Sequence, residues 1–350
     1  MHASIHRIIS SAAWPILMIL SIFIFSTSAL SEASMSSPQK KQEAQKPGNW
    51  ETRFTFESGY RIDNIDWNIG GNYTSTWDGG PVETRFIDIL SELTWKDLEI
   101  YQVVLSNRTI VMDHLYFRGS LGYGEIFDGR NRDSDYKGNN RTLEFSRSDN
   151  ASDSGHVIDV SVGIGYLFQF KSGRVGIAPV AGYTLHSQNL RMTDGHQTLS
   201  VPPDQSFPVG PIQGLDSSYD TRWQGPFLGI DLLLNTKQPV WWFRSIALDI
   251  TVEAHWADYY AEADWNLIPS FQHPKSFEHE ADGTGIVIAA DWILGLTQQW
   301  DLSFGLNYMK WSTKAGTDRL FYANGTTVES RLNEINWDST AFLMGITYRF

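Results

Sequence analysis

The chain has 350 residues, no cysteine, 41% hydrophobic residues and a formal net charge of −13 at pH 7. A mean hydropathy of −0.28 excludes a helical membrane protein made of several apolar spans. It does not exclude a β-barrel, because only every second residue of a membrane-crossing strand is apolar. The acidic balance argues against a nucleic-acid partner, and the missing cysteines leave no disulfide framework.

The N-terminal segment has the three parts of a signal peptide. Arg7 gives the positive charge, residues 8–25 are mostly apolar, and small residues follow, so that cleavage after Ala29 or after Ala33 fits the pattern. An uncleaved anchor is the alternative, but the apolar run is short for a membrane span and lacks a charged flank. We therefore predict a signal peptide over residues 1–33.

Residues 34–50 are polar and are predicted to form a flexible tether, and residues 51–350 are predicted to form one all-β domain. Apolar residues in that domain recur with a period of two rather than 3.6. In the clearest run one face is continuously apolar: Ile158, Val160, Val162, Ile164, Tyr166, Phe168 and Phe170. The opposite face carries residues such as Asp159 and Ser161, as expected of a strand between lipid and a polar interior.

Connections between these runs alternate between short and long. Short turns are expected near residues 109–113, 171–173, 235–240 and 297–299, and long polar loops at residues 63–82, 128–155, 191–221, 258–284 and 312–336. Four short and five long connections predict ten strands. The expected fold is a closed antiparallel transmembrane β-barrel of about ten strands with both termini on the periplasmic side.

The interior of such a barrel is expected to be nearly filled by its own side chains, since open water channels need about sixteen strands. The carboxylates expected inside are Asp159, Asp231, Asp249, Glu253 and Asp291. They need partners such as Arg118, Arg349 or His255, because unpaired buried charge is costly. Function is therefore expected in the long loops. Tryptophans in or near those loops, including Trp67 and Trp256, could stack on sugars, but anchoring of the barrel at the membrane interface is the expected role.

The chain ends on Tyr348-Arg349-Phe350, with apolar or aromatic residues at alternate positions before the end. This ending is typical of the terminal signal that the barrel-assembly machinery of outer membranes reads, so Tyr348 and Phe350 are expected to contact that machinery. Together with the signal peptide and the strands, it predicts an integral protein of a Gram-negative outer membrane with loops at the cell surface. Outer-membrane lipid is then a partner.

Three short motifs give the chain a resemblance to the omptin family of outer-membrane barrels. Leu93-Thr94-Trp95-Lys96 is similar to the Leu-Asp-Trp-Lys of omptins, and Ala181-Gly182-Tyr183 and Tyr219-Asp220-Thr221-Arg222 also match. The resemblance extends over most of the predicted barrel and implies the same ten-stranded fold. The chain also resembles the porin-like outer-membrane proteins of environmental chlamydiae.

The omptin resemblance implies a protease site that this chain fills only in part. Omptins use an Asp-x-Asp pair and an Asp-x-His pair at the barrel mouth to activate a water. Asp133 and Asp135 stand where the first pair is expected. At the second, one alignment gives an alanine and a tryptophan, and a shift of one residue gives Glu262 and Asp264. These four carboxylates form a candidate cluster at the barrel rim, but the histidine of the omptin site is missing from it.

Two further features of omptins are matched in part. His273 and His279 follow in the same predicted loop and could fold back to supply the missing base. The lipopolysaccharide-binding pattern of omptins is represented by Tyr183 and Arg222, but leucine and serine stand where a Glu and an Arg are expected. The resemblance therefore implies a different contact with outer-membrane lipid through Tyr183 and Arg222, with lipopolysaccharide as one candidate, or no such contact.

Three functions remain open. The first is a non-proteolytic omptin-like barrel with a surface-binding or structural role carried by its long loops. The second is a small-solute pore, and the third is an omptin-type aspartyl endopeptidase. No cofactor is expected. Residues 271–280 hold two histidines and two glutamates, but their spacing fits no familiar metal motif, so no metal site is predicted.

Overall fold

The computed structural model describes residues 50–76, 80–171, 173–201, 207–236 and 239–350. The strands are β1 (Trp50–Thr76), β2 (Val82–Val111), β3 (Leu115–Gly138), β4 (Thr142–Ala151), β5 (Gly155–Tyr166), β6 (Phe168–Phe170), β7 (Val175–Ser200), β8 (Gly210–Pro211), β9 (Asp216–Asn235), β10 (Ile246–Asp264), β11 (Phe277–Gly295), β12 (Trp300–Thr313), β13 (Gly316–Phe321) and β14 (Thr327–Arg349). Within the described ranges no helix is long and apolar enough to cross a membrane. The predicted signal peptide and all but the last residue of the predicted tether lie outside the described residues.

The strands form one antiparallel sheet that closes on itself, because β1 pairs with β2 on one side and with β14 on the other. β4 and β5 follow one another between the same two neighbours, β3 and β7, and β13 continues β12 between β11 and β14. β6 and β8 are short additions along β7. If β4 with β5 and β12 with β13 each count as one strand, and β6 and β8 are left out, the fourteen segments give ten strand positions around the ring. The predicted closed barrel of about ten strands is confirmed.

One end of the barrel, the short-turn end, carries brief connections at residues 112–114, 171–174, 236–245 and 296–299. All four were predicted. Both ends of the barrel domain lie here as well, since the backbone N–H of Phe350 donates to the carbonyl of Thr52 at 2.9 Å. The opposite end is called the long-hairpin end.

Much of the long connections at that opposite end is strand rather than loop, so the prediction is wrong over those residues, whereas residues 212–215 and 265–276 do lie outside the strands. β1 continues to Thr76 and β2 begins at Val82, so most of the predicted loop 63–82 belongs to a hairpin. The polar composition that indicated loops belongs to strands with one solvent-exposed face. A strand needs no lipid to continue, because its backbone hydrogen bonds are made to its neighbours.

The outer wall carries an apolar band. On β10 the exposed or half-buried even-numbered residues from Ile246 to Trp256 face outward, while Asp249 and Glu253 are buried inside. Ten residue steps at about 3.4 Å give about 34 Å along the strand, or about 25 Å across the membrane at the usual tilt. This height matches the lipid-facing band of outer-membrane barrels.

Beyond the band, toward the long-hairpin end, the alternation keeps its period but reverses its phase. On β1 the outward residues change from apolar Tyr60 and Ile62 to polar Asn64 and Asp66. The inward residues there become large and apolar, and Trp67 is only 3% exposed. The core of the molecule therefore lies inside the barrel, above the membrane band.

Candidate functional site

The first predicted pair, Asp133 and Asp135 on β3, faces the barrel interior. Asp133 lies opposite Leu93 of β2, and Leu93 is a buried core residue. Because side chains directly opposite one another in a sheet share a face, Asp133 and Asp135 share the inner one. They lie well beyond the apolar band.

No cation of the described residues is among the groups that shift the pKa of either carboxyl. Burial raises the pKa of Asp133 well above its usual range, and the charge of Asp135 raises it further. Burial also raises the pKa of Asp135 to about 6, although hydrogen bonds from Ser91 and Ser146 oppose this. The Oδ1 atom of Asp133 is buried and has no hydrogen-bond partner among the described residues. The pair therefore holds a proton readily near neutral pH.

The second predicted pair, Glu262 and Asp264 on β10, faces outward. These residues alternate with Ala261 and Ala263, which are buried in the core at 0% and 2% exposure. The Nζ atom of Lys275 donates to Glu262 at 3.0 Å. The structure does not bring the four carboxylates together, because the two pairs lie at the same end of the barrel but on opposite faces of its wall.

The two loop histidines both pair with a carboxylate. The Nδ1 atom of His273 lies 2.6 Å from Oδ1 of Asp264, on the outer face. His279 is completely buried, and its Nε2 atom lies 3.2 Å from Oδ1 of Asp318. Its Nδ1 atom is 2.8 Å from the hydroxyl of Tyr219. One Asp–His pair is thus exposed away from the interior, and the other is closed off inside it.

An aromatic plug closes the interior above the membrane band. Its members are buried rings from seven strands: Trp67, Trp95, Tyr219, Trp223, Tyr259, Phe277, Trp311 and Trp337. Trp95 stacks on Tyr219 with 5.3 Å between ring centroids, and Trp67 lies edge-on to His279 at 4.8 Å. Trp67 was predicted to be an interfacial anchor, and this is wrong because its ring faces the core. Trp256 does face outward and is 50% exposed.

A polar cavity of about 220 Å³ lies in the lumen below the plug. Its charged lining consists of five carboxylates and four guanidiniums: Glu57, Asp159, Asp249, Glu253, Asp291, Arg53, Arg61, Arg108 and Arg118. Two of the three predicted partners are confirmed, because Arg118 pairs with Asp231 and Glu253, and His255 with Glu253. Arg349 pairs instead with Asp301 at 2.5 Å.

The sequence-based reading missed the most buried cation of this lumen. Arg61 is 1% exposed, donates to both oxygens of Asp63 at 2.6 Å and reaches Asp159 at 2.6 Å. Its position in the alternation, one residue before outward-facing Ile62, is the signal that places it inside.

A second cavity opens on the outer wall and is here called the wall groove. It measures about 610 Å³ and is lined by polar residues of β1, β2, β3, β4 and β14. Asp66 lies opposite Asn336 on one side and Thr94 on the other, and Thr94 lies opposite Arg132, so one row of side chains crosses four strands. The groove begins beyond the ring cluster of Tyr60, Tyr101 and Phe127, which marks the edge of the apolar band.

Tyr183 and Arg222 lie on the outer wall of β7 and β9. Tyr183 pairs with Pro226, four residues along β9 from Arg222, so both residues share the outward face. Tyr183 is 47% exposed. The guanidinium of Arg222 lies 5.5 Å from the ring centre of Tyr260. Both residues therefore lie on the outer wall. No group of three or more His, Asp or Glu in the described ranges is arranged to hold a metal.

Comparison with known proteins gives one family match. The model of the Protochlamydia outer membrane protein family (Pom) matches residues 55–350. No curated protein matches the chain. Among solved structures, the outer membrane protease OmpT of Escherichia coli has a TM-score of 0.63 and 13% identity, over 86% of this chain and 97% of that one.

Two other outer-membrane barrels are more distant. The translocator domain of the autotransporter NalP from Neisseria meningitidis has a TM-score of 0.34 and 9% identity, over 97% of this chain and 98% of that one. The outer membrane protein OprG of Pseudomonas aeruginosa has a TM-score of 0.26 and 11% identity, over 87% and 96%. At these identities the likenesses concern the fold alone.

Proposed function

We propose that this chain, which belongs to the Protochlamydia outer membrane protein family, is a closed outer-membrane barrel that binds a polar ligand and neither conducts solutes nor cleaves peptides. The aromatic plug is the observation that carries this proposal. It fills the interior at the height where a pore must be open and where a substrate would have to reach Asp133 and Asp135. The long-hairpin end is the cell-surface end, since bacterial barrels keep their short turns in the periplasm.

The wall groove is the proposed binding site. Its volume of about 610 Å³ falls in the range of ligand pockets, and it remains open while the lumen is filled. The lining offers amides, hydroxyls and charges of both signs, including Lys96, Asp66 and Asp338. Such a surface suits a hydroxyl-rich or zwitterionic ligand, such as an oligosaccharide, better than an apolar one.

An array of neutral and charged oligosaccharides tests the groove. Thr94→Trp fills the groove floor from an outward position, and Ser312→Trp is the matched control, because Ser312 faces outward beside Asn336 but does not line the groove. We expect at least one glycan to bind the wild type and the Ser312 variant at least tenfold better than the Thr94 variant. Equal binding by all three proteins, or none by any, contradicts the proposed site.

A small-solute pore is the second candidate, favoured by the polar cavity below the plug. Planar-bilayer recordings separate the two. We expect no conductance steps from the wild type, and small steps with a weak cation preference from a Trp95→Ala, Trp223→Ala double variant, since the lining carries one more carboxylate than guanidinium. Steps of equal size from both proteins support the pore instead.

A further inference from the structure

The turn between β9 and β10 presents two tryptophans to the surroundings. Trp241 is 89% exposed and Trp242 is 92% exposed, more than any other large apolar residue in the described ranges. They are the two central residues of a tight hairpin, in which the backbone N–H of Val240 and the carbonyl of Phe243 are 2.9 Å apart and the reciprocal bond is 3.0 Å. The rings thus project from a fixed tip.

The backbone of this tip is unfavourable for tryptophan. Trp241 has φ of 54°, in the left-handed region, and a two-residue turn with positive φ at its first central position prefers glycine there. Large aromatic residues rarely adopt such a conformation. A bulky ring held in a glycine position and left bare contributes nothing to folding, which indicates that it contacts something outside the barrel.

The position of the tip identifies that partner. Ile246 is the last outward residue of the apolar band on β10, and Trp242 lies four residues beyond it. β10 begins at Ile246, and four residues even when fully extended span at most about 14 Å, so at the usual strand tilt the tip lies no more than about 10 Å past the band. This is the depth of the lipid headgroups, which extend several ångströms beyond each side of the hydrocarbon core. The tip is continuous with the lipid-facing surface.

The chemistry of the tip fits the same surface. Tryptophan is favoured at headgroup depth because its ring is apolar and its indole N–H finds polar partners there. Arg244 is exposed two residues later and has no carboxylate partner within the described residues. Another short turn at this end, residues 297–299, is instead Thr-Gln-Gln. We propose that Trp241, Trp242 and Arg244 form an anchor that docks this hairpin onto the anionic phospholipid surface at the short-turn end.

The absence of cysteine makes a direct test possible. An environment-sensitive label on Pro239→Cys reports on the tip, and the same label on Gln298→Cys in the 297–299 turn is the matched control. The barrel is refolded into bilayers of phosphatidylcholine with or without phosphatidylglycerol, each containing brominated lipid as a quencher. We expect at least threefold stronger quenching at position 239 than at 298. Trp241→Gly with Trp242→Ser should reduce it to the control level.

The variants keep the experiment decisive. Glycine suits the backbone of the turn, so the Trp241→Gly variant should fold, and heat-modifiable migration on gels checks this. Arg244→Gln should remove the increase in quenching that phosphatidylglycerol produces. Equal, weak quenching at both label positions in the folded wild type overturns the proposal and points to a protein partner at this end. Strong quenching that survives the loss of both tryptophans overturns it as well.

Discussion

Two neighbouring buried carboxyl groups make the stability of the long-hairpin end depend on pH. Burial raises the pKa of Asp135 to about 6 from an ordinary value of 3.8, so the folded barrel favours its protonated form. This stabilisation is complete below about pH 4 and is lost as the pH rises through about 6. Asp135→Asn should therefore stabilise the barrel at pH 8 by about 1 to 2 kcal/mol, and much less at pH 4.

Urea unfolding followed by tryptophan fluorescence at both pH values measures this effect. Glu262→Gln is the matched control, because Glu262 lies on the opposite face of the wall and pairs with Lys275. A stabilisation by Asp135→Asn that is the same at both pH values would falsify the electrostatic explanation.

A single buried guanidinium holds two carboxylates inside the barrel. Arg61 contacts Asp63 and Asp159, and Asp63 also accepts from Gln188 and from the indole of Trp337. Arg61→Met leaves two negative charges without their cation, so we expect a loss of about 3 to 5 kcal/mol in unfolding free energy. Arg130→Met is the control, since Arg130 is exposed and pairs with exposed Asp97. Its loss should stay below about 1 kcal/mol, and equal losses would show that solvent screens Arg61 too.

At the scale of the strand, Phe350 extends the pairing of β14 with β1 that closes the barrel. Phe350 donates its backbone N–H to Thr52, and its ring lies 5.7 Å from Phe54 and 4.8 Å from Tyr348. The ring is nonetheless 73% exposed, so it contributes little to packing. Deletion of Phe350 should therefore leave refolding in detergent nearly unchanged but reduce assembly in cells severalfold. Heat-modifiable migration measures both, and equal loss in detergent and in cells would show a stability effect rather than recognition by the assembly machinery.

Strands were predictable where one face meets lipid, and much less so beyond it. The run from Ile246 to Trp256 shows its alternation plainly, because apolar side chains of similar size repeat on the outer face. In β1 beyond Ile62 the same period continues, but the apolar face now points inward and the outward face is polar. The polar composition of this part of the strand then resembles that of a loop. The reversal of phase between Ile62 and Ile65 is the feature that distinguishes the two and also marks the membrane edge.

The candidate site was predictable only one strand at a time. Asp133-Ser134-Asp135 was found as a motif, but the face it occupies depends on its register with Leu93, more than 35 residues earlier in the chain. The pairing of His279 with Asp318 joins β11 to β13, and no local pattern indicates it. The wall groove draws on five strands. Such sites are set by closure of the ring, which the local sequence does not contain.

For the whole molecule, the decisive property is that the two acidic pairs lie on opposite faces of the barrel wall. A water-activating site needs a base and carboxylates on the same side of the wall and within reach of one water. Here Asp133 and Asp135 face inward, whereas His273 and Asp264 face outward. The inward Asp–His pair, His279 with Asp318, lies beneath Trp67, Phe277 and Tyr219 and is closed to a peptide.

The folded protein should therefore not cleave a fluorogenic peptide with two basic residues, with or without added lipopolysaccharide. The physical reason is the separation of the groups. The chain has both carboxylates and imidazoles, but no water molecule can contact the Asp133–Asp135 pair and a histidine at the same time. A Trp67→Ala variant uncovers His279 and is the strictest control. If it cleaves while the wild type does not, the plug alone blocks a competent site. Wild-type cleavage that is lost on changing Asp133 or Asp135 to alanine would instead make this barrel a protease, with the plug moving aside during the reaction.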